Sequence, residues 1–133
     1  MPHSDGNAYF PQVATISLGE GCFLDLYSVN KIKNGNDADS ATNLSAITTM
    51  QPAYSVYLPP RSLLVLTGLN YTDYLHGIID YETYKVHENV VNLHEELKIG
   101  DVMRRENTRV SLTFRCVKRV AKIDLLKKLT GKR

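Results

Sequence analysis

From Arg109 to Cys116 the chain alternates strictly, with Arg109, Ser111, Thr113 and Arg115 interleaved with Val110, Leu112, Phe114 and Cys116. A period of two belongs to a β-strand, whose successive side chains leave opposite faces of the pleat. The two faces of this strand have opposite needs. One is wholly apolar and is predicted to pack into a core. The other carries two guanidinium groups with two hydroxyls between them. Inside a domain, such a face requires something anionic opposite it, because an unpaired buried charge is costly. The planar fork of arginine suits a carboxylate, so a small dicarboxylate lying along the face would satisfy both ends. An edge strand with a solvated polar face is the other reading, and the pattern alone leaves both open.

Much of the remaining chain reads as further short strands punctuated by Gly and Pro. Val13 to Leu18 alternates, with Ala14, Ile16 and Leu18 on one face and Val13, Thr15 and Ser17 on the other. Gly19-Glu20-Gly21 is a turn signal, and Cys22 to Tyr27 is predicted to return as the second strand of a hairpin. Strands are also predicted over 54–58, 63–67 and 74–79, separated by Pro59-Pro60 and by a turn at Gly68 and Asn70. Residues 28–51, rich in Asn, Asp, Ser, Thr and Ala, read as a long flexible surface loop. Residues 80–107 read as a polar, variable insertion with a helical turn, since Val90, Val91, Leu93 and Leu97 fit neither period. Val120, Ile123, Leu126 and Leu129 recur at helical spacing and predict a short amphipathic C-terminal helix. Many short strands with Gly and Pro turns imply a mainly β domain over 1–133, a sandwich or jelly roll. No nucleotide-binding glycine motif is present.

Composition narrows the function classes only a little. A chain of 133 residues fits a single domain with a modest core. Sixteen Lys and Arg against 14 Asp and Glu give a net charge of +2, too small to argue for nucleic acid. Lys118, Arg119, Lys122, Lys127, Lys128, Lys132 and Arg133 do gather at one end, where they would attract phosphates or simply be solvated. Cys22 and Cys116 form no disulfide framework and no CxxC site, and are expected as reduced core thiols. With no run near the roughly 18 apolar residues of a membrane span, and no signal-peptide pattern, a soluble cytoplasmic or nuclear protein is expected.

His3-Ser4-Asp5 places an imidazole and a carboxylate two residues apart, which on a strand means one face and roughly 6.6 Å. Two such groups can converge on a metal. A third ligand such as His76 would complete a two-histidine, one-carboxylate triad suited to non-haem Fe(II). A loosely held chain end is the alternative. Tyr9, Phe10, Tyr71 and Tyr74 could stack against a base or pack in the core and its rim. His87 and His94, in the 80–107 stretch, read as surface residues.

Taken in order, these segments resemble the AlkB family of dioxygenases. Arg109-Val-Ser-Leu-Thr-Phe-Arg115 is similar to that family's Arg-x-Asn-x-Thr-x-Arg signature, with Ser111 in place of the Asn. Leu75-His76-Gly77-Ile78 resembles its distal His-Gly-Ile. Met1-Pro2-His3-Ser4-Asp5-Gly6, followed by Thr15-Ile16-Ser17-Leu18-Gly19, resembles its proximal His-x-Asp and the next strand. Pro60 to Gly68 resembles the strand leading to the distal histidine. The Met-Pro-His-x-Asp-Gly run and Ser111 look closest to the sixth animal member of the family.

The resemblance implies an incomplete double-stranded β-helix, or jelly roll, in which His3, Asp5 and His76 hold Fe(II). It implies that Arg109 and Arg115, with Ser111, bind 2-oxoglutarate. The implied reaction consumes 2-oxoglutarate and O2, releases CO2 and succinate, and hydroxylates an N-linked methyl group that leaves as formaldehyde. The implied substrate is alkylated nucleic acid, with the target base unstacked. Because Met1 lies two residues before the first implied ligand, the chain is expected to lack the family's N-terminal region, including its Asn-x-Tyr motif. The alternative is a catalytically inactive jelly-roll fragment that binds only a partner or a metal.

Overall fold

The structure, a computed structural model, describes residues 1–29, 51–93 and 97–119. Most of the predicted 28–51 loop, His94 and the predicted C-terminal helix lie outside the described residues. Among them the fold is mainly β and antiparallel. Strands β1 (Tyr9–Gly19), β2 (Cys22–Ser28), β3 (Tyr54–Leu58) and β4 (Leu63–Thr67) come first. A single helical turn α1 (Leu69–Thr72) follows, then β5 (Tyr74–Gly77), β6 (Thr83–Lys85), β7 (Val102–Arg104) and β8 (Arg109–Val117). They form two three-stranded sheets, ordered β4-β1-β8 and β3-β2-β5, and a β6-β7 pair.

The expected β1-β2 hairpin is not formed, because β1 and β2 lie in different sheets. Gly19, at φ 74°, takes the chain across in a conformation an L side chain resists, and a Cβ there would run into the Thr108 carbonyl. The Glu20 carboxylate in the same turn accepts backbone N–H bonds from Glu106 and Asn107, which lowers its pKa and ties the turn to the approach of β8.

The two sheets meet through Cys22, Leu24 and Leu26 of β2, Leu58 of β3 and Leu66 of β4, all buried. The opposite face of β2 is buried too, with Phe23 packed on Val86 and Val90. The 80–107 stretch therefore contributes core side chains, and its described residues hold the β6-β7 pair and no helical turn. Its apolar residues fitted neither period because Val90 makes an isolated bridge to Ser55, Val91 lies in a turn, and Leu93 and Leu97 lie in no regular element.

Register fixes what β1 and β8 present. Inward rows run Leu66–Val13–Arg115 and Leu64–Thr15–Thr113, with Ser17 opposite Ser111. Outward rows run Val65–Ala14–Phe114 and Leu63–Ile16–Leu112, with Leu18 opposite Val110. The apolar face of β8, predicted to enter the core, is thus the outer one: Val110, Leu112 and Phe114 are 46–57% exposed. The polar face turns toward the other sheet because a cavity lies there. Cys116 shares the outer face and is exposed, whereas Cys22 is buried as expected. No described helix is long and apolar enough to cross a membrane.

Candidate metal and dicarboxylate site

His76 sits in the middle of β5, the short edge strand paired with β2, with Leu26 as its partner. The N-terminal segment adds to the free edge of β5. His3 and His76 exchange both backbone hydrogen bonds at 2.9 Å, and their rings lie 4.6 Å apart between centroids. Such a bridge sets two imidazoles side by side on one face. It depends on a close approach: a Cβ on Gly77 would stand 3.0 Å from Pro2 Cα. Beyond His3 the segment is held by Tyr71, whose hydroxyl donates to the Gly6 carbonyl at 2.8 Å.

Asp5 divides its two oxygens. Oδ1 accepts from Arg115 Nε at 2.5 Å, and Oδ2 lies 3.7 Å from His76 Nε2, too far for a hydrogen bond. The Asp5 side chain is only 4% exposed, and Oδ2 is buried without a hydrogen-bond partner. An orphaned carboxylate oxygen facing an imidazole nitrogen is the donor set a cation would satisfy. Ligating atoms of His3, Asp5 and His76 all fall within 4.8 Å of one another. Burial first, and the neighbouring His3 second, lower the pKa of His76. That favours the neutral imidazole, the form that ligates metal.

Beside these side chains lies a solvent-open cavity of about 250 Å³. Arg109, Ser111, Thr113 and Arg115 line one wall, and Leu24, Leu58, Leu64 and Leu66 line the apolar part. Arg109 donates through Nη2 to Ser17 Oγ at 3.1 Å, while its Nε is buried and has no partner. Since Arg115 commits its Nε to Asp5, its two Nη groups are the ones left to face an anion. Two forks at opposite ends of one face, one with an orphaned donor, fit a small dicarboxylate. β8 is an edge strand, with Ser111, Thr113 and Arg115 exposed as the solvated-edge alternative expects, while the buried Arg109 Nε without a partner is the feature that favours an anion.

His3, His76, Arg109, Ser111 and Arg115 therefore line one cavity, and Asp5 joins them through Arg115 and its approach to the two histidines. Of the aromatics, Tyr9 lies under Arg115, 5.8 Å from ring centroid to guanidinium carbon, and Tyr71 braces the N-terminal loop. Phe10 is exposed, and Tyr74 packs on Tyr54 at the edge of the inter-sheet core. His87 is exposed and stands edge-on to Tyr84, away from this cavity. Sequence reading named Ser17, Tyr71 and Gly77, the first on a strand face, the second as a stacking candidate and the third inside a motif. It did not assign them the roles of holding Arg109, the Gly6 carbonyl and the approach of Pro2.

No family model matches the chain. Among curated proteins, it is similar to one from Danio rerio named "Probable RNA/DNA demethylase ALKBH6", with 34% identity over 128 residues, 94% of this chain and 50% of the relative. It is also similar to the "Alkylated DNA repair protein ALKBH8 homolog" of Arabidopsis thaliana, with 31% identity over 121 residues, 88% of this chain and 30% of that protein. The chain thus spans about half the length of the first relative and less than a third of the second. With both matches running along most of its residues, the chain belongs to the AlkB family.

Proposed function

We propose that the chain carries the Fe(II)- and 2-oxoglutarate-binding centre of a dioxygenase that oxidatively demethylates alkylated nucleic acid. In this reading its two sheets are part of a double-stranded β-helix, and the protein works in the nucleus or cytoplasm. The observation that carries it is the meeting of His3, Asp5 and His76, with an orphaned Asp5 oxygen, beside a cavity walled by Arg109 and Arg115. The substrate class rests on the names of the two relatives, an RNA/DNA demethylase and a DNA repair protein.

Each residue then has a task that its position permits. His3, Asp5 and His76 would hold Fe(II), which when bound supplies the O2 chemistry of this class. Arg115 orients Asp5 through Oδ1, so that Oδ2 points toward the two imidazoles. Arg109 and the Nη groups of Arg115 bind the two carboxylates of 2-oxoglutarate, and Ser17 fixes the Arg109 fork. Ser111, opposite Ser17 in register, offers a hydroxyl where the family signature has an amide. The leucine wall keeps water from one side of the cosubstrate, which strengthens the arginine contacts.

The test is formation of succinate from 2-oxoglutarate by the purified chain with Fe(II) and O2. Turnover is expected to vanish in His76→Ala and to require far more 2-oxoglutarate in Arg109→Ala. Turnover that survives His76→Ala would refute the assignment. A second reading, a chain that binds metal without turnover, is favoured by the exposure of Val110, Leu112 and Phe114 on the outer face of β8 among the described residues. Metal binding with no succinate from folded protein would select it.

A further inference from the structure

A second cavity, of about 380 Å³, lies on the far side of β2 from the site above. Asp25, Tyr27, Tyr81, Tyr84, His87 and Glu88 line it. Leu24 and Leu26 point toward the arginine cavity and the inter-sheet core, so Asp25 between them points the other way. Asp25 is 2% exposed, which is rare for a carboxylate, and it has no ion pair with Lys or Arg among the described residues. Its Oδ1 accepts from Ser55 Oγ at 2.5 Å, and the Tyr84 hydroxyl in turn donates to Ser55 Oγ at 3.4 Å. Its Oδ2 has only the Tyr27 hydroxyl at 3.5 Å, the outer limit of a hydrogen bond, and so keeps most of its accepting capacity.

The lining has a definite chemical character. It holds two carboxylates, three tyrosines and one histidine, and no Lys or Arg among the described residues. That composition disfavours phosphates and carboxylates, the reverse of the cavity walled by Arg109 and Arg115. The space is too large for a bare metal ion held by Asp25 alone. It falls within the range of small-molecule sites, typically a few hundred Å³. Ring walls around a carboxylate are what an organic cation uses, since it gains from both the charge and the aromatic faces. Burial raises the pKa of Asp25 despite the bonds from Ser55 and Tyr27 and the nearby His87, so its charged form stands to gain from a cation.

We infer that this cavity binds a small organic ammonium, such as an alkyl- or methylated amine, with Asp25 as counter-ion and Tyr81, Tyr84 and His87 as its walls. The site is separate from the metal centre and does not depend on it. Tetramethylammonium and methylammonium chlorides, titrated into the full chain against sodium chloride at matched ionic strength, test it through tyrosine ring resonances and calorimetry. Saturable binding on the order of millimolar is expected for so few atoms. Asp25→Asn should weaken it at least tenfold and Tyr81→Ala several-fold, with Arg109→Ala leaving it unchanged. Tyr81 is half exposed, so its truncation tests the site even if the Asp25 variant folds poorly. Absence of saturable binding, binding insensitive to Tyr81→Ala and Asp25→Asn, or preferential binding of inorganic phosphate would each overturn the inference.

Discussion

Gly77→Ala isolates the contact that sets His3 beside His76. Gly77 does not adopt a positive φ, so the backbone accepts alanine and the restriction is one of space. The added Cβ would stand 3.0 Å from Pro2 Cα and 3.1 Å from Pro2 N, whereas carbon atoms settle at about 3.5–4.0 Å. Pro2 must retreat by about 0.5 Å or more, and His3 is the next residue. The two 2.9 Å bonds between His3 and His76 would stretch toward roughly 3.4 Å, beyond the usual N–H···O range. Only the single His3–His76 bridge is strained, so the loss of overall stability should stay near about 1 kcal/mol, the net worth of one hydrogen bond. Metal affinity should fall about tenfold, because a displaced ligand loses its orientation. Anaerobic titration with Co(II), followed by its visible bands, reads the affinity, and thermal unfolding of the metal-free protein reads the stability. An affinity within twofold of the parent chain would refute the idea that this approach positions His3.

The other perturbations address separate parts of the molecule. Ser17→Ala removes the hydroxyl that receives the Arg109 bond and should raise the dissociation constant for 2-oxoglutarate threefold to tenfold, measured calorimetrically, with Co(II) affinity unchanged. Leu26→Ala, at a residue 1% exposed between the sheets, should cost about 2–5 kcal/mol in urea unfolding. Asp25→Asn should stabilise the protein at neutral pH. Burial raises the folded-state pKa of Asp25 above its unfolded value, so the folded state binds the proton more tightly and stability falls as pH rises between the two. The advantage of the amide should therefore shrink as pH drops through the raised pKa and vanish below the ordinary aspartate value; a gain independent of pH would contradict this. Phe114→Lys, on the exposed outer row, should leave Co(II) affinity within twofold of the parent chain and change the unfolding free energy by less than about 0.5 kcal/mol.

What the sequence revealed and what it concealed both follow from how local each signal is. Alternation located β8 and the core of β1, since a period of two survives any tertiary context. It could not say which face of each strand is inside. The usual rule sends the apolar face inward, and in β1 and β8 that rule fails together, because the interior on their side is a cavity lined by polar groups. Ser17, 1% exposed, and the Arg109 it holds lie on the inner face, while Phe114 and Leu112 lie on the outer one. Such a reversal is stable only if the inward charges find partners. Asp5 is one for Arg115, and the unpartnered Arg109 Nε marks where another is missing. The partition of β1 and β2 into different sheets was hidden for another reason: a Gly-Glu-Gly turn is compatible with a hairpin and with a crossing, and only the Thr108 carbonyl beside Gly19 decides between them. The six candidate site residues could be picked out because three short motifs carry them, His-x-Asp, His-Gly-Ile and the alternating arginine strand. Gly77 and Tyr71 were named as well, one inside a motif and one as a stacking candidate, but their bracing roles exist only once Pro2 and Gly6 have been brought to them. The misread faces of β1 and β8 and the arginine cavity thus have one cause, a polar inner face that continues the leucines of β4 in its own sheet and looks toward Leu24 of β2 in the other.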